Sequence, residues 1–460
     1  MQLSTPSFFV FFLVVWLLYW SAAKISGARL VVLLAANLFF ILKFGWLYLL
    51  LPGAATVDFF VGWGLAREES EAKRRFLLGI SLAVNLLLLA GPKLLLMNGR
   101  QPGTLSALLT LSLSFYCFQA LTYTIDLYRR DPDAEATRSW PIYICSAVFF
   151  PVLVAGPILR LHGFLKQMVK TPSLTDSQAG RALLLIGIGL VKKLLIADYL
   201  GQNLVQRVFD TPALYSGAEV LAGVYGYALQ LFFDFSGYTD IAIGVALLLG
   251  LNVPENFRQP YLSVNVMEFW RRWHITFSEW LRDYIMESLP QRRRTHPLLS
   301  YCYSVIVTMM LGGLWHGLSW TFFIWGSLHG VALAAVRIWK QRRKGAKPLA
   351  WGRVGGILLT FHFVCFTWIF FNASSVSNAL EVLGRLGSNT WSVANLTPGI
   401  LLVMAIGAVA HSLPLKWLDG GAKLMGRAPF WLQGAALAGL VLLIQTVSGR
   451  GAAPFVYGNF

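Results

Sequence analysis

The sequence predicts an all-α integral membrane protein, and both its composition and its long apolar runs support this prediction. Of the 460 residues, 56% are hydrophobic and only 13% are charged, and the mean hydropathy is +0.61. A soluble domain usually carries about 25% charged residues. Several runs approach or exceed the roughly 20 apolar residues that a helix needs to cross the hydrocarbon core. Because these runs are near-continuous rather than alternating, they indicate helices.

The apolar runs divide the chain into three zones of one integral membrane domain. We predict N-terminal membrane helices in 1–105, a core that holds most of the ionisable groups in 106–375, and C-terminal membrane helices in 376–460. Ionisable groups are costly at membrane depth and tend to be retained for function, so chemistry is expected in the middle zone. By length we expect about 10–13 membrane and re-entrant helices. The clearest apolar runs are 7–23, 30–51, 76–97, 105–127, 354–371 and 400–410.

The net charge of +17, from 38 basic and 21 acidic residues, would suggest nucleic-acid binding in a soluble protein. Here we attribute it to the cytoplasmic excess of Lys and Arg in membrane proteins, and no nucleic-acid partner is expected. No basic residue precedes the first apolar run, whereas Lys24 and Arg29 follow it. This pattern disfavours a cleaved signal peptide and places the N-terminus outside the cytoplasm. The basic clusters expected in the cytoplasm are 67–75, 129–138, 292–294 and 337–353.

Several kinds of site are disfavoured by the motifs. The four cysteines are scattered through apolar stretches without C-x-x-C spacing, so neither a disulfide frame nor a zinc site is predicted. No His, Cys and carboxylate set has the spacing of a metal site. There is no G-x-S-x-G nucleophile elbow and no P-loop. We therefore expect no bound metal and no resident cofactor.

Residues 268–284, EFWRRWHITFSEWLRDY, are predicted to form one amphipathic helix. At about 100° per residue, the aromatic side chains gather on one side and most polar ones on the other, with His274 where the two faces meet. A plain interfacial anchor explains this pattern as well as a functional helix does. The aromatic side consists of Phe269, Trp273, Phe277, Trp280 and Tyr284, and the polar side includes Arg271, Ser278 and Arg282.

His316 lies in the apolar stretch 312–330, GGLWHGLSWTFFIWGSLHG, with no charged residue near it in sequence. Desolvation disfavours the imidazolium form, and a neutral imidazole can act as a general base. Gly312, Gly313 and Gly317 would let another backbone or a ligand approach closely. Taken alone, a histidine hydrogen-bonded across a helix interface is the more common explanation. If the stretch is one helix, His329 faces elsewhere, and we assign it a structural role.

Asp234 and Asp240 are carboxylates within the apolar stretch 230–256. Pairing with an Arg, or capping a broken helix, explains them better than direct catalysis does.

Read together, these stretches resemble the membrane-bound O-acyltransferase family, and especially its bacterial branch of alginate O-acetylation and teichoic-acid D-alanyl transfer proteins. The resemblance runs in order from about Ser114 to the C-terminus, and several motifs in sequence are far more specific than WHG alone. The matching segments are SFYCFQALTYTIDLYR, FFPVLVAGPILR, VKKLLIAD, FDFSGYTDIAIG, NFRQPYLSVNVMEFWRRWHITFSEWLRDYI, GGLWHGLSWTFFIWGSLHG, TWIFFNAS and PFVYGNF.

The resemblance implies a ring of helices around a central tunnel, with His316 as the catalytic histidine and His274 as its partner. The residues expected to bind the donor or substrate are Trp273, Arg271, Arg282, Asp234 and Trp315, with Arg272 also able to guide an anionic donor. One departure is the segment that follows WLRDYI. The bacterial relatives usually continue there into a tyrosine-proline-glycine-glycine loop, whereas this chain reads MESLPQRRRTHPLL.

The function implied is transfer of an acetyl group from a cytoplasmic thioester, acetyl-CoA or an acyl carrier protein, to an extracytoplasmic hydroxyl. The acceptor would be a polysaccharide or a periplasmic relay protein. A periplasmic acetyltransferase or a polysaccharide export protein is the expected partner, in the bacterial cytoplasmic (inner) membrane. The alternatives are D-alanyl transfer from a carrier protein to teichoic acid and, from another class, a membrane transporter.

Overall fold

The computed structural model describes residues 1–97, 107–289, 297–343 and 352–448, and within these ranges the chain is helical with no β-strand. Short 3₁₀ or π turns connect some of the helices. In chain order the α-helices are α1 Pro6–Ser21, α2 Ser26–Leu42, α3 Leu50–Leu65, α4 Glu71–Met97, α5 Ala107–Arg129, α6 Trp140–Ala147, α7 Leu161–Val169, α8 Asp176–Leu190, α9 Asp198–Leu200, α10 Gln206–Asp210, α11 Gly217–Leu248, α12 Val266–Trp270, α13 Ile275–Trp280, α14 Pro297–His316, α15 Trp320–Arg342, α16 Gly352–Asn372, α17 Val376–Leu386, α18 Pro398–Ser412, α19 Leu415–Arg427 and α20 Phe430–Ser448.

Helices long and apolar enough to cross a membrane confirm a polytopic membrane protein. In the part of the chain that the structure describes there are six, and α18 with α19 would add a seventh if the pair forms one span. Three shorter apolar helices lie in α1, α2 and α20. The expected number of 10–13, which included re-entrant helices, stays a prediction. The six spans are Trp46–Leu65, Glu71–Gly91, Gly217–Leu248, Pro297–His316, Trp320–Arg342 and Gly352–Asn372.

The chain forms two compact units. The first contains Met1–Val191, Gly237–Pro254 and the helices from Leu415 onward. Within it, α8 packs closely on α19, where a Cβ added to Gly180 would collide with the backbone of Gly426. Close approach of backbones through small residues is typical of helix packing in membranes, where burial from water supplies no driving force.

The first unit also contains a buried polar cluster that the sequence did not suggest. Asp58 on α3 is fully buried and accepts hydrogen bonds from Ser81 (2.6 Å), Asn85 (3.0 Å) and Tyr116 (3.2 Å). These donors satisfy the carboxylate from the neighbouring helices α4 and α5, as a buried polar group requires. Zone 1–105 is therefore more polar inside than its apolar runs indicate.

The second unit contains Lys192–Ser236 and Glu255–Pro414 and carries both predicted catalytic histidines. Its tightest helix pair is α14 with α15. A Cβ added to Gly313 would collide with the carbonyl oxygen of Phe322, and one on Gly326 with the carbonyl oxygen of Met309. These two glycines let the backbones touch, which confirms the close approach predicted at Gly313.

Candidate active site

The prediction of one continuous helix over 268–284 is wrong, because the chain breaks immediately before His274. Helix α12 ends at Trp270, α13 begins at Ile275, and His274 has the left-handed backbone φ 42°, ψ 56°. A non-glycine residue in this region is uncommon and is strained by about 1–3 kcal/mol. A break is invisible to helical periodicity, since aromatic and polar residues keep their spacing across it.

Asn256 holds this break in place from the preceding segment. Its side-chain oxygen Oδ1 lies 3.0 Å from His274 Nδ1 and accepts from the Thr276 hydroxyl (3.0 Å) and backbone N–H (3.3 Å). Its backbone oxygen accepts from the Ile275 N–H at 2.9 Å. Because a backbone N–H can only donate, the atom that faces His274 Nδ1 is an acceptor. His274 Nδ1 therefore carries a proton, and in the neutral ring Nε2 carries the lone pair.

His274 belongs to none of the six membrane spans, and its side chain is buried, with 1% of the residue exposed. Burial lowers the pKa of His274 to about 3, since the charged imidazolium is disfavoured away from water. The ring is consequently neutral at physiological pH and can accept a proton or a hydrogen bond at Nε2.

His316 is the last residue of α14, which corrects the prediction that 312–330 is one helical run. The chain breaks at residues 317–319, and α15 restarts at Trp320 with Ser319 as its N-cap, whose hydroxyl accepts from the Phe322 N–H at 3.4 Å. A serine at the N-cap position is a helix start signal, and it was present in the sequence. The reasoning that turned His329 away from His316 assumed one helix and does not apply, because the two residues lie on different helices.

The aromatic side chains around His316 come from the four helices α13, α14, α15 and α16. The ring of His316 contacts Trp315 at 4.5 Å, Phe371 at 4.9 Å and Trp325 at 5.3 Å between centroids, and it is 7% exposed. Phe277 contacts both catalytic candidates, with its centroid 5.0 Å from His274 and 6.1 Å from His316. The structure therefore brings the two predicted histidines to a common aromatic ring.

His329 uses both ring nitrogens within the core. Trp270 Nε1–H donates to Nδ1 at 3.2 Å, and Nε2 lies 3.0 Å from the Thr367 hydroxyl, which itself donates to the Val364 carbonyl at 2.8 Å. Since Nδ1 accepts, Nε2 is the donor to Thr367 in the neutral ring. This chain of hydrogen bonds gives His329 a packing role and leaves neither nitrogen for a substrate.

Asp234 lies in a buried ion pair rather than at a helix break. Its Oδ1 is 2.6 Å from Lys193 Nζ, which also lies 2.7 Å from Asp198 Oδ1. Asp234 is fully buried in the continuous helix α11, so the expectation of a broken helix is wrong there, and the cation that it meets in this pair is Lys193. The next residue, Phe235, packs edge-on against His274 at 4.8 Å. Phe235 thus connects Asp234 to His274, and the predicted role of Asp234 in binding stays a prediction.

The remaining predicted binding residues separate into buried and exposed groups. Trp273 is 1% exposed and Trp315 is 9% exposed, and Trp315 stacks near Phe277 at 4.5 Å. Arg271 and Arg282 are exposed, and the Arg282 guanidinium donates to Asp283 at 2.7 Å. That hydrogen bond raises the pKa of Arg282. Only the two tryptophans lie in the packed interior with the histidines.

Three sequence features fall outside the described residues. They are residues 290–296 of the unusual segment, which include the basic cluster 292–294, residues 344–351 of the cluster 337–353, and the closing PFVYGNF.

Comparison with known proteins identifies the family. Residues 139–377, about half of the chain, match the model of the membrane-bound O-acyltransferase family. The chain belongs to this family. The match covers Asn256, His274 and His316, and it confirms the predicted family and the class of enzyme, an O-acyltransferase.

Curated relatives include acetyltransferases and a D-alanyltransferase. The chain is 37% identical to the probable alginate O-acetylase AlgI of Azotobacter vinelandii over 66% of this chain and 58% of that protein. It is 32% identical to the peptidoglycan O-acetyltransferase of Helicobacter pylori over 79% of this chain and 75% of that one. It is also 32% identical to the teichoic acid D-alanyltransferase of Bacillus subtilis, over 56% and 69% respectively. The chain spans less than two thirds of the first of these relatives.

Sequence reasoning missed two residues of the site, Asn256 and Trp325. Asn256 stands in a connecting segment 18 residues before His274, and no local pattern links the two. Trp325 follows His316 in a run of aromatic residues that reads as helix packing. A polar residue that is buried in a connection could have been found only from the fold.

Proposed function

We propose that this membrane-bound O-acyltransferase moves an acetyl group from a cytoplasmic thioester to a hydroxyl on the extracytoplasmic side of the bacterial inner membrane. The acceptor is a cell-envelope polysaccharide or a periplasmic protein that relays the group. Relatives named for the O-acetylation of alginate and of peptidoglycan support acetyl as the acyl group. Acetyl-CoA or an acyl carrier protein is the expected donor.

The observation that carries this proposal is the pair of histidines on one aromatic ring, each at the end or start of a helix. His316 ends α14 and His274 precedes α13, and Phe277 contacts both. Burial among aromatic side chains disfavours the charged imidazolium form, and a neutral imidazole can remove a proton from a hydroxyl. Low local polarity also strengthens each hydrogen bond to the reacting atoms.

In the proposed reaction His316 is the general base. The acceptor hydroxyl oxygen attacks the thioester carbonyl carbon and gives its proton to the imidazole of His316. The carbonyl π electrons move to oxygen, and they return as the carbon–sulfur bond breaks. The thiolate then takes the proton from His316, which restores the neutral ring. Such general-base help contributes about 10²–10⁴ in rate.

His274 takes a positioning part in this scheme. Because its Nδ1–H is directed to Asn256, Nε2 accepts a hydrogen bond and does not donate one. We assign Nε2 to hold a donating N–H or O–H group of a substrate. The exposed Arg271 and Arg282 would attract an anionic donor such as the phosphates of acetyl-CoA, a steering effect that salt weakens.

The test is a transfer assay on the purified full-length protein in proteoliposomes. Radiolabelled acetyl-CoA is supplied with oligosaccharides that carry free hydroxyls, and in a second arm a D-alanyl-loaded carrier protein is supplied with lipoteichoic acid. We expect label to move from acetyl-CoA to the oligosaccharide.

Each other result has a defined meaning. Transfer of D-alanine alone favours the second candidate, which the similarity to a teichoic acid D-alanyltransferase supports. Passage of an unmodified compound across the liposome membrane, with no acyl transfer, would identify a transporter and contradict both acyl-transfer proposals.

A further inference from the structure

Two indole N–H groups near His316 are buried without a hydrogen-bond partner in the described part of the chain. They belong to Trp325 and Trp368, which are 1% and 0% exposed. A buried donor that lacks a partner destabilises the folded protein, so such groups are rare unless a ligand or water meets them. Trp325 contacts the ring of the candidate base His316, whereas Trp368 packs on Trp325 and Phe371, so the N–H of Trp325 is the one relevant to substrate binding.

Trp325 is the indole in ring contact with His316. The two rings are perpendicular, at 89°, with centroids 5.3 Å apart. On its other sides Trp325 contacts Phe371 at 5.1 Å and His329 at 5.1 Å, and it stacks on Trp368 at 5.9 Å. This packing fixes the indole ring, so its N–H would not have to be reoriented during a reaction.

The proposed acyl transfer needs a donor at the carbonyl oxygen, where negative charge develops. His274 is unsuited to this role, because its proton-bearing nitrogen Nδ1 faces Asn256. His329 is unsuited as well, since Trp270 and Thr367 take both of its nitrogens. A preorganised N–H donor aimed at the developing charge is among the largest single contributions to catalysis.

We propose that the indole N–H of Trp325 binds the carbonyl oxygen of the acyl group and stabilises the oxyanion formed on attack. The inference rests on the proposed function of His316 and adds a catalytic residue to it. As the acceptor oxygen bonds to the carbonyl carbon, the carbonyl π pair moves onto the oxygen that Trp325 contacts. When the carbon–sulfur bond breaks, that pair returns and the hydrogen bond weakens.

The test removes the N–H and keeps the ring. Trp325→Phe is compared with Trp368→Phe, a matched control that deletes the neighbouring buried indole N–H. A third protein carries 3-benzothienylalanine at position 325, in which sulfur replaces the indole nitrogen and the bicyclic shape is retained. All three proteins are assayed for acetyl transfer after size-exclusion chromatography and thermal unfolding show that they are folded.

We expect both changes at position 325 to lower kcat by about 10²–10³, with KM little changed, as the loss of one oxyanion donor does. Trp368→Phe should keep a rate of the same order as the unchanged protein. In a complex with a ¹³C-carbonyl acetyl thioester and inactive His316→Ala protein, the carbonyl infrared band should lie at lower frequency than in the same protein with benzothienylalanine at 325.

A wild-type rate with benzothienylalanine at 325, equal losses in the Trp368→Phe control, or an unshifted carbonyl band would each overturn the inference. Because the infrared comparison and the benzothienylalanine protein preserve the ring, they decide the question even if Trp325→Phe does not fold. Absence of acyl transfer by the unchanged protein would instead contradict the proposed function itself.

Discussion

Replacement of Asn256 by Ala tests whether the hydrogen bonds of Asn256 keep His274 in the position that acyl transfer needs. The substitution removes the oxygen that accepts from His274 Nδ1–H and from the Thr276 hydroxyl and backbone N–H. Each buried donor left without a partner costs about 1–3 kcal/mol. Some of these donors will find water, so we expect the protein to lose about 2–5 kcal/mol of unfolding free energy.

The rate of acetyl transfer in Asn256→Ala should fall by more than the loss of folded protein accounts for. Without Asn256 the acceptor that favours a proton on Nδ1 is lost, and the left-handed backbone of His274, strained by about 1–3 kcal/mol, can relax. We expect acetyl transfer by the folded fraction to fall by about 10²–10³, within the range of acid–base effects. The assay is initial rate per folded protein in proteoliposomes, with the folded fraction measured by size-exclusion chromatography.

Two further variants distinguish an effect on the position of His274 from a general loss of protein stability. Asn256→Asp keeps an acceptor oxygen but adds a negative charge, which raises the pKa of His274 from its value of about 3. Its rate should therefore decline with falling pH at a higher pH than in the unchanged protein. Asn252→Ala alters an exposed side chain whose residue bonds through its backbone, and it should change neither quantity. An Asn256→Ala protein with the normal rate per folded molecule would refute the positioning role.

Three further predictions concern stability. Lys193→Ala should destabilise the protein by about 3–5 kcal/mol in denaturant titration, because two buried carboxylates lose their cation. The control Lys192→Ala should have a small effect. Equal losses of unfolding free energy in the two variants would contradict a buried ion pair at Lys193. Gly326→Ala should lower the apparent melting temperature, because the new methyl group meets the α14 backbone. The control Gly355→Ala has open space around the new methyl group and should raise or preserve the melting temperature. An unchanged melting temperature in Gly326→Ala would argue against the close contact of the two helices. Burial lowers the pKa of His274 from about 6.5 in the unfolded chain to about 3 in the folded protein. The contribution of this residue to the unfolding free energy is therefore fully present above pH 6.5 and is lost as pH falls, by about 1 kcal/mol between pH 7 and pH 5.5. The same titration on His274→Gln should show a shallower dependence, and an unchanged slope would contradict a neutral buried ring.

The sequence could predict helices because apolar runs and helical periodicity are local properties. It could not predict where the helices stop inside those runs. The breaks before His274 and after His316 interrupt neither the aromatic spacing nor the hydrophobicity, although Ser319 was a readable N-cap. Helical geometry and apolar surroundings drew attention to both histidines, but their catalytic roles came from the resemblance.

The partners of these residues depend on tertiary structure. Lys193 and Asp234 are 41 positions apart, and no local pattern links the two charges until the fold pairs them. Asn256 likewise reads as an ordinary residue of a connection. Helical periodicity assigns side chains to faces of single helices, and it contains no information about which distant segment meets each face.

The role of His316 as the general base is the claim on which the proposed reaction depends most directly. The decisive measurement is the single-turnover rate of acetyl transfer from labelled donor in His316→Ala protein, beside His362→Ala, which changes an exposed histidine bonded to Tyr225. We predict a loss of at least about 10²-fold at His316, with normal folding and unchanged transfer by the His362 variant. Transfer at the normal rate by correctly folded His316→Ala protein would contradict the account.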